Sequence, residues 1–322
     1  MRIVVLDGYT LNPGDLSWED LASINGVEDF IVYERTRSKR VITRAKDADI
    51  LFTNKTVLTA EHFEELPNCK YIGIFATGHN VVDVAAAAKK GITVTNVPAY
   101  STLSVAQHVF ALLLELCLKI QEHSTAVRAG EWSKSIDFSF RKSTLTEIAG
   151  KTLGVIGFGE TGRKVAEIAY TFDMNVLAYK PNPDTSYSHE NFSWVTFDEI
   201  LAQSDILSLH CPLKEDNHGM IDKNALAKMK PSAFLINTAR GGLLVEQDVA
   251  DALNSHKLAG AALDVLAAEP PPEDNPLLTA QNCIITPHIA WATKEARIRL
   301  MNAVVQNLKN FLEGNPTNVV SK

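Results

Sequence analysis

The sequence predicts an α/β protein made of two doubly wound parallel-sheet units, and three observations carry that expectation. The chain has 322 residues, enough for about two domains at roughly 150 residues each. Short apolar runs alternate with longer helical patterns from end to end, which implies βαβ units and parallel sheets. Near the middle, a glycine-rich turn falls directly between a strand and a helix.

Apolar runs at 3–6, 50–52, 71–75 and 93–95 read as strands, with helices at 58–66 and 82–90, the second closed by Gly91 as a C-terminal cap. Ser101 or Ser104 is expected to cap a long core helix that runs to about Ile120. From 121 to 150 no clear periodicity is visible. Yet Trp132, Phe138 and Phe140 crowd this polar stretch, which suggests packing against something, such as another subunit. A second series of strands follows at 152–156, 175–179, 206–210, 233–237, 261–265 and 283–286, with helices at 165–172, 224–229 and 246–255 between them. One more amphipathic helix begins at Lys294 and ends near Gly314, and its attachment is open from the sequence alone.

Composition excludes several classes. Lys plus Arg number 31 against 38 Asp plus Glu, a net charge of −7, so there is no electrostatic footprint for nucleic acid or an anionic membrane. The opening apolar run is too short for a secretory signal, and the longest one, 105–118, contains Gln107, His108 and Glu115. Cys69, Cys117, Cys211 and Cys283 are scattered without metal spacing, as expected of reduced core residues in a cytoplasmic protein. The other histidines lack partners at metal spacing, and no metal site is expected.

The turn reads G-F-G-E-T-G, with Gly157, Gly159 and Gly162 in the G-x-G-x-x-G pattern. The pattern alone is weak, but a strand before it and a helix after it make it a dinucleotide-binding turn. Gly157 permits the tight turn, Gly159 the approach of a pyrophosphate, and Gly162 the packing of helix on strand. The helix N-terminus then stabilises the phosphate charge. An acidic residue about 20 positions on would bind the adenosine ribose. Lys180 stands there instead, which tilts the cofactor from NAD towards NADP, although a solvated lysine at a strand end is the plainer explanation.

In open parallel sheets, ligands lie beyond the carboxyl ends of the strands. Those ends carry His210-Cys211-Pro212, Thr238-Ala239-Arg240-Gly241-Gly242, Asp264 with Glu269 five residues on, and Thr286-Pro287-His288. Singly, each has a bland explanation as loop surface or structural histidine; together they form a set. Reducing a ketone needs a proton donor for the alkoxide, which histidine supplies. A 2-oxo acid carboxylate needs an anion-binding fork, which arginine supplies. A carboxylate beside the histidine orients the ring and favours its charged form.

These motifs resemble, in order and mutual spacing along nearly the whole chain, the D-isomer-specific 2-hydroxyacid dehydrogenases. The matching stretches are G-K-T-L-G-V-I-G-F-G-E-T-G, L-H-C-P-L, F-L-I-N-T-A-R-G-G-L, A-A-L-D-V, E-P and T-P-H-I-A-W-A-T. N-V-P-A-Y-S-T-L-S-V-A-Q-H and G-E-W-S-K-S-I-D-F-S-F look most similar to the glycerate dehydrogenase (hydroxypyruvate reductase) branch. The resemblance implies that Arg240 holds the substrate carboxylate and carbonyl, that Glu269 pairs with His288, and that His288 is the acid/base. It implies further carboxylate contacts from the backbone of Ala76, Thr77 and Gly78. Cofactor contacts would come from Thr102, the loop of Gly157, Gly159, Glu160, Thr161 and Gly162, then Lys180, Cys211, Thr238, Ala239, Asp264 and His288. The implied fold is a flavodoxin-like catalytic domain, 1–100 plus 295–322, with a Rossmann nucleotide domain, 101–294, inserted into it. A homodimer is also implied. Thr161 departs from the apolar residue common in the family's glycine loop, and Lys180 from its usual aspartate.

The expectation is a cytoplasmic NAD(P)H-dependent reductase of hydroxypyruvate or glyoxylate. The alternatives are a relative acting on D-lactate or phosphoglycerate, and a non-catalytic dinucleotide sensor. Retention of the Arg240, Glu269 and His288 set argues against the sensor. Phosphoglycerate would need a cationic pocket near the N-terminal loops, where residues 73–80 offer only His79.

Overall fold

A computed structural model describes residues 1–321. The chain divides into two compact units, Met1–Ser101 with Ala292–Lys322 and Thr102–Trp291.

The first unit begins with β1 (Arg2–Val5), α1 (Glu19–Ala22), β2 (Asp29–Val32), α2 (Val41–Ala45) and β3 (Ile50–Thr53). It continues through α3 (Ala60–Glu64), β4 (Tyr71–Ile74), α4 (Val84–Lys89) and β5 (Thr93–Thr95). Its five strands are parallel in the order β2-β1-β3-β4-β5, the flavodoxin-like winding. β3 and β4 are buried along their whole length, as continuous apolar runs between two helical layers should be.

The second unit holds α5 (Thr102–Leu118), α6 (Ile120–Arg128), β6 (Thr152–Ile156), α7 (Glu160–Thr171), β7 (Asn175–Tyr179), β8 (Phe192–Trp194) and α8 (Phe197–Gln203). After these come β9 (Ile206–Leu209), α9 (Lys223–Lys228), β10 (Phe234–Asn237), α10 (Glu246–Asn254), β11 (Gly260–Leu263) and β12 (Cys283–Ile285). The seven parallel strands run β12-β11-β10-β9-β6-β7-β8, so the order reverses between β6 and β9. That reversal is the switch point at which a doubly wound sheet opens a crevice beyond its carboxyl edge. One core lies on each face: α5 and α7 cover one side, and α8, α9 and α10 the other.

The chain then returns to the first unit as α11 (Lys294–Leu312). Leu300, Met301, Val304 and Leu308, spaced at helical intervals, are its buried face, and the helix packs on β4. Arg297 fixes the start of the helix with a two-pronged contact to Asp15, 2.7 Å on each oxygen. The segment after the helix adds to the edge of β5, where Val320 N–H donates to the Val94 carbonyl. This settles the attachment of the last helix, which depends on long-range packing.

Several expectations need correction. Ser104 caps nothing: it lies inside α5, where its hydroxyl donates to the Ala290 carbonyl at 2.6 Å. The stretch after 121 is not irregular throughout, because α6 occupies Ile120–Arg128 with Ala126 its one buried residue. With Ile120, Ala126 and Val127 its only apolar residues, this nine-residue helix is too short and too polar to stand out as a periodic run. β2 and β8 were not anticipated either; both are short edge strands with half-exposed side chains. α8 had a legible signal in T-F-D-E, since Thr196 and Glu199 form a capping box at its start.

Candidate active site

The glycine turn follows β6 at the switch point. Gly157 has φ +94°, and a Cβ there would lie 2.4 Å from the Cys211 nitrogen, so a side chain is excluded twice over. A Cβ on Gly162 would lie 2.3 Å from the Gly157 carbonyl oxygen, so only glycine lets α7 seat this closely on β6. Gly159 differs: a Cβ there would meet nothing within 4 Å. It also caps α7 with no side chain to bond the first-turn amides of Glu160, Thr161 and Gly162, and no such bond is made among the described residues. An open cradle facing free helix amides suits a phosphate group. At the end of β10, the buried Thr238 hydroxyl has no hydrogen-bond partner among the described residues. These features fit a dinucleotide.

Beyond β7, Lys180 points its ammonium towards the Trp194 ring, 5.9 Å from the centroid. Nearby, Phe158, Tyr187, Phe192 and Trp194 form an aromatic cluster. Arg163 closes it by pairing with Asp184 at 2.6 Å, and Asp184 also takes the Ser186 hydroxyl. The Ser186 and Arg163 bonds hold Asp184 down to about 2. Beyond β9, His210 bonds the Ser208 hydroxyl through Nε2 at 2.8 Å, and burial pushes its imidazole down to about 4. Cys211 is half-buried, with its thiol pushed up by burial and the Asn217 amide 3.8 Å from Sγ.

Sequence reasoning named Thr238, Ala239 and Arg240 but missed what shapes their loop. Asn237 is fully buried and uses both ends of its amide, accepting from Ala239 N–H at 3.0 Å and donating to the Arg240 carbonyl at 2.8 Å. Gly241 then presses on the next loop, where its Cβ would lie 1.9 Å from the Leu266 carbonyl carbon. Glu246, at the start of α10, grips that same loop from the other side through Ala267 N–H and the Asn275 amide. This bracing leads to Glu269. Arg240 itself is exposed, its guanidinium touching the protein only at the Ala239 carbonyl among the hydrogen bonds of the described residues.

His288 Nδ1 lies 2.6 Å from Glu269 Oε2, and both side chains are about 30% exposed (28% and 33%), so the pair is open to a ligand. The histidine backbone sits at φ +55°, a left-handed conformation that costs a non-glycine residue about 1 kcal/mol or more. Asp264 overrides that cost. Its carbonyl accepts His288 N–H at 2.8 Å, and its buried carboxylate accepts Thr286 O–H, Ile289 N–H and Ala290 N–H at 2.6, 2.8 and 2.8 Å. Asp264 thus shapes the loop that carries His288.

Thr102 opens α5. In the first unit, Ala76, Thr77 and Gly78 follow β4. The Thr77 hydroxyl donates to the Val97 carbonyl, so this loop offers its backbone rather than its side chain. At the switch point of this sheet, buried Asp7 accepts the amides of Asn54, Lys55 and Thr56 at 2.8, 2.6 and 2.7 Å. Lys55 stands exposed on this clamped loop with no ion pair among the described residues, a cation that lies outside residues 73–80. Two adjacent sequence separations of about 47 residues hide the Asp7 clamp from any local pattern.

Among the described residues, no single helix is long and apolar enough to cross a membrane. Residues 110–290 match the model of the D-isomer specific 2-hydroxyacid dehydrogenase family, NAD binding domain. The chain is 49% identical to a hydroxypyruvate reductase of Blautia hydrogenotrophica over 100% of both chains. It is 39% identical to a glycerate dehydrogenase of Methylorubrum extorquens, over 99% of this chain and 98% of that one. An acyclic imino acid reductase solved with NADPH and D-Arg superposes with a TM-score of 0.86 at 33% identity, covering 99% of this chain and 100% of that one.

Proposed function

Because the chain belongs to the D-isomer-specific 2-hydroxyacid dehydrogenase family and binds a nicotinamide dinucleotide, we propose that hydroxypyruvate, with glyoxylate second, is the 2-oxo acid it reduces to the D-2-hydroxy acid. The observation that carries this reading is the His288–Glu269 pair on loops of the same sheet edge as Arg240. When bound, the reduced nicotinamide supplies a hydride to the substrate's second carbon. Arg240 offers two parallel N–H donors to the substrate carboxylate. As the carbonyl oxygen gains charge, His288 gives it the Nε2 proton, and Glu269 stabilises the imidazolium through Nδ1 until then. The reverse oxidation uses the same groups with the proton returning to His288.

Lys180 favours NADPH over NADH in this reading, because a lysine and not a carboxylate stands directly after β7, where the ribose hydroxyls would be held. The enzyme is read as a homodimer joined through the region of α6 and the loop after it, where Trp132, Ile136 and Phe138 are exposed, the last at 91%. Its place is the cytoplasm, where four free cysteines suit a reducing milieu.

The test is the initial rate of hydroxypyruvate reduction with NADH and NADPH at equal subsaturating concentrations. Rapid oxidation of either supports the substrate. A ratio favouring NADPH that reverses in Lys180→Asp supports the role of that lysine. Absence of turnover on hydroxypyruvate and glyoxylate, or full activity in His288→Ala, overturns the reading. Ile136→Glu with Phe138→Glu should convert a dimer to a monomer by light scattering.

A further inference from the structure

The loop that carries His288 is gripped from a second side by a helix with no part in the mechanism described so far. β11 and β12 pair in register, Leu263 opposite Ile285, so Asp264 and Thr286 leave the sheet side by side. α5 lies against this sheet, and Ser104 and His108, four residues apart, project from one face of the helix. Ser104 O–H donates to the Ala290 carbonyl at 2.6 Å. His108 Nε2 lies 3.1 Å from Thr286 Oγ1 and 3.5 Å from Asp264 Oδ1. One helical turn therefore holds both ends of the five-residue stretch centred on His288.

The bond directions follow from chemistry. The Asp264 carboxylate can only accept, so the Thr286 hydroxyl donates to it at 2.6 Å. That leaves Thr286 Oγ1 its lone pairs, which take the proton of His108 Nε2. The chain His108 N–H, Thr286 O–H, Asp264 carboxylate, Ile289 and Ala290 N–H is complete, every donor aimed at an acceptor. Its product is the left-handed backbone at His288, which persists only where the surroundings over-determine it.

We infer that His108 is a positioning residue for His288, which works through Thr286 and Asp264, with Ser104 as its partner at the far end of the loop. The inference rests on the reading of His288 as acid/base. It assigns His108 no contact with substrate or cofactor.

The experiment compares the wild type with His108→Gln, His108→Leu and Ser104→Ala. Each is measured for kcat and KM with hydroxypyruvate, for NADPH affinity by fluorescence, and for melting temperature. The His288 Nδ1 proton is followed by NMR on protein labelled at histidine nitrogen and assigned by its loss in His288→Gln. His108→Leu should lower kcat about tenfold, the usual cost of a misplaced catalytic group held by one lost bond, with NADPH affinity unchanged. It should also shift the His288 resonance. His108→Gln, whose amide N–H reaches Thr286, should recover most of both. Ser104→Ala, which keeps the Thr286 end, should lose less, and it serves if His108→Leu does not fold. An unchanged kcat in His108→Leu despite a lower melting temperature overturns the inference, as does a Gln variant no better than the Leu one. If the wild type reduces no 2-oxo acid, the function reading falls, and the resonance alone decides: no shift in His108→Leu, or in Ser104→Ala if His108→Leu does not fold, overturns the positioning role.

Discussion

His288 Nδ1 and Glu269 Oε2 stand 2.6 Å apart although 19 residues separate them, and Glu269 reaches this point on a loop braced by Gly241 and Glu246. Replacing Glu269 with Gln keeps a hydrogen-bond acceptor for Nδ1 and removes the charge. kcat for reduction should fall about tenfold or more, up to the roughly 100-fold to 10,000-fold that general acid catalysis contributes in full, with cofactor affinity unchanged. Steady-state kinetics with a parallel cofactor titration checks this.

Arg240 is held by its backbone, through Asn237, while its exposed guanidinium bonds only the Ala239 carbonyl among the hydrogen bonds of the described residues. Arg240→Lys keeps the charge and loses the fork. The expected result is a loss in kcat/KM of about tenfold to 100-fold, matching the 1.5–3 kcal/mol of a charged hydrogen bond.

Gly157 and Gly159 should respond oppositely to alanine. At Gly157 the added carbon meets the Cys211 backbone at 2.4 Å under a φ of +94°, so the melting temperature should drop by several degrees. At Gly159 it meets no protein atom, so stability should hold while cofactor affinity falls. Equal melting temperatures for the two variants would contradict this assignment of space.

Burial holds His210 neutral, with its imidazole pushed down from 6.5 to about 4. The unfolded chain binds a proton near 6.5 that the folded one refuses, so this group favours the native state fully above that point. The contribution is lost as the pH falls through about 4, amounting to about 3 kcal/mol at most. His210→Gln should therefore lose less stability than the wild type between pH 7 and pH 4, measured by denaturant midpoints across that range.

Lys55 is fixed by the Asp7 clamp and free of ion pairs among the described residues. If it meets a substrate's side group, Lys55→Met should raise KM for a 2-oxo diacid about tenfold, the value of one charged contact, and leave glyoxylate unaffected. Parallel KM determinations on the two substrates decide it.

The sequence by itself determined the alternation of strands and helices, the glycine turn and the succession of polar groups after β9 to β12. These are local properties: apolar periodicity, glycine where a Cβ has no room, and polar residues where a strand leaves the core. It also carried the family, because those groups recur in one order. Tertiary structure alone decided which groups meet. Asp7 reaches 54–56 and Ser104 reaches Ala290 across 186 residues, and no periodicity encodes such partners. It also moved Ser104 from a presumed cap into the helix and tied Asp264 to the loop of His288. A buried carboxylate must find donors wherever the fold supplies them. The order of the strands, and with it the choice of donors, is settled when distant segments pack.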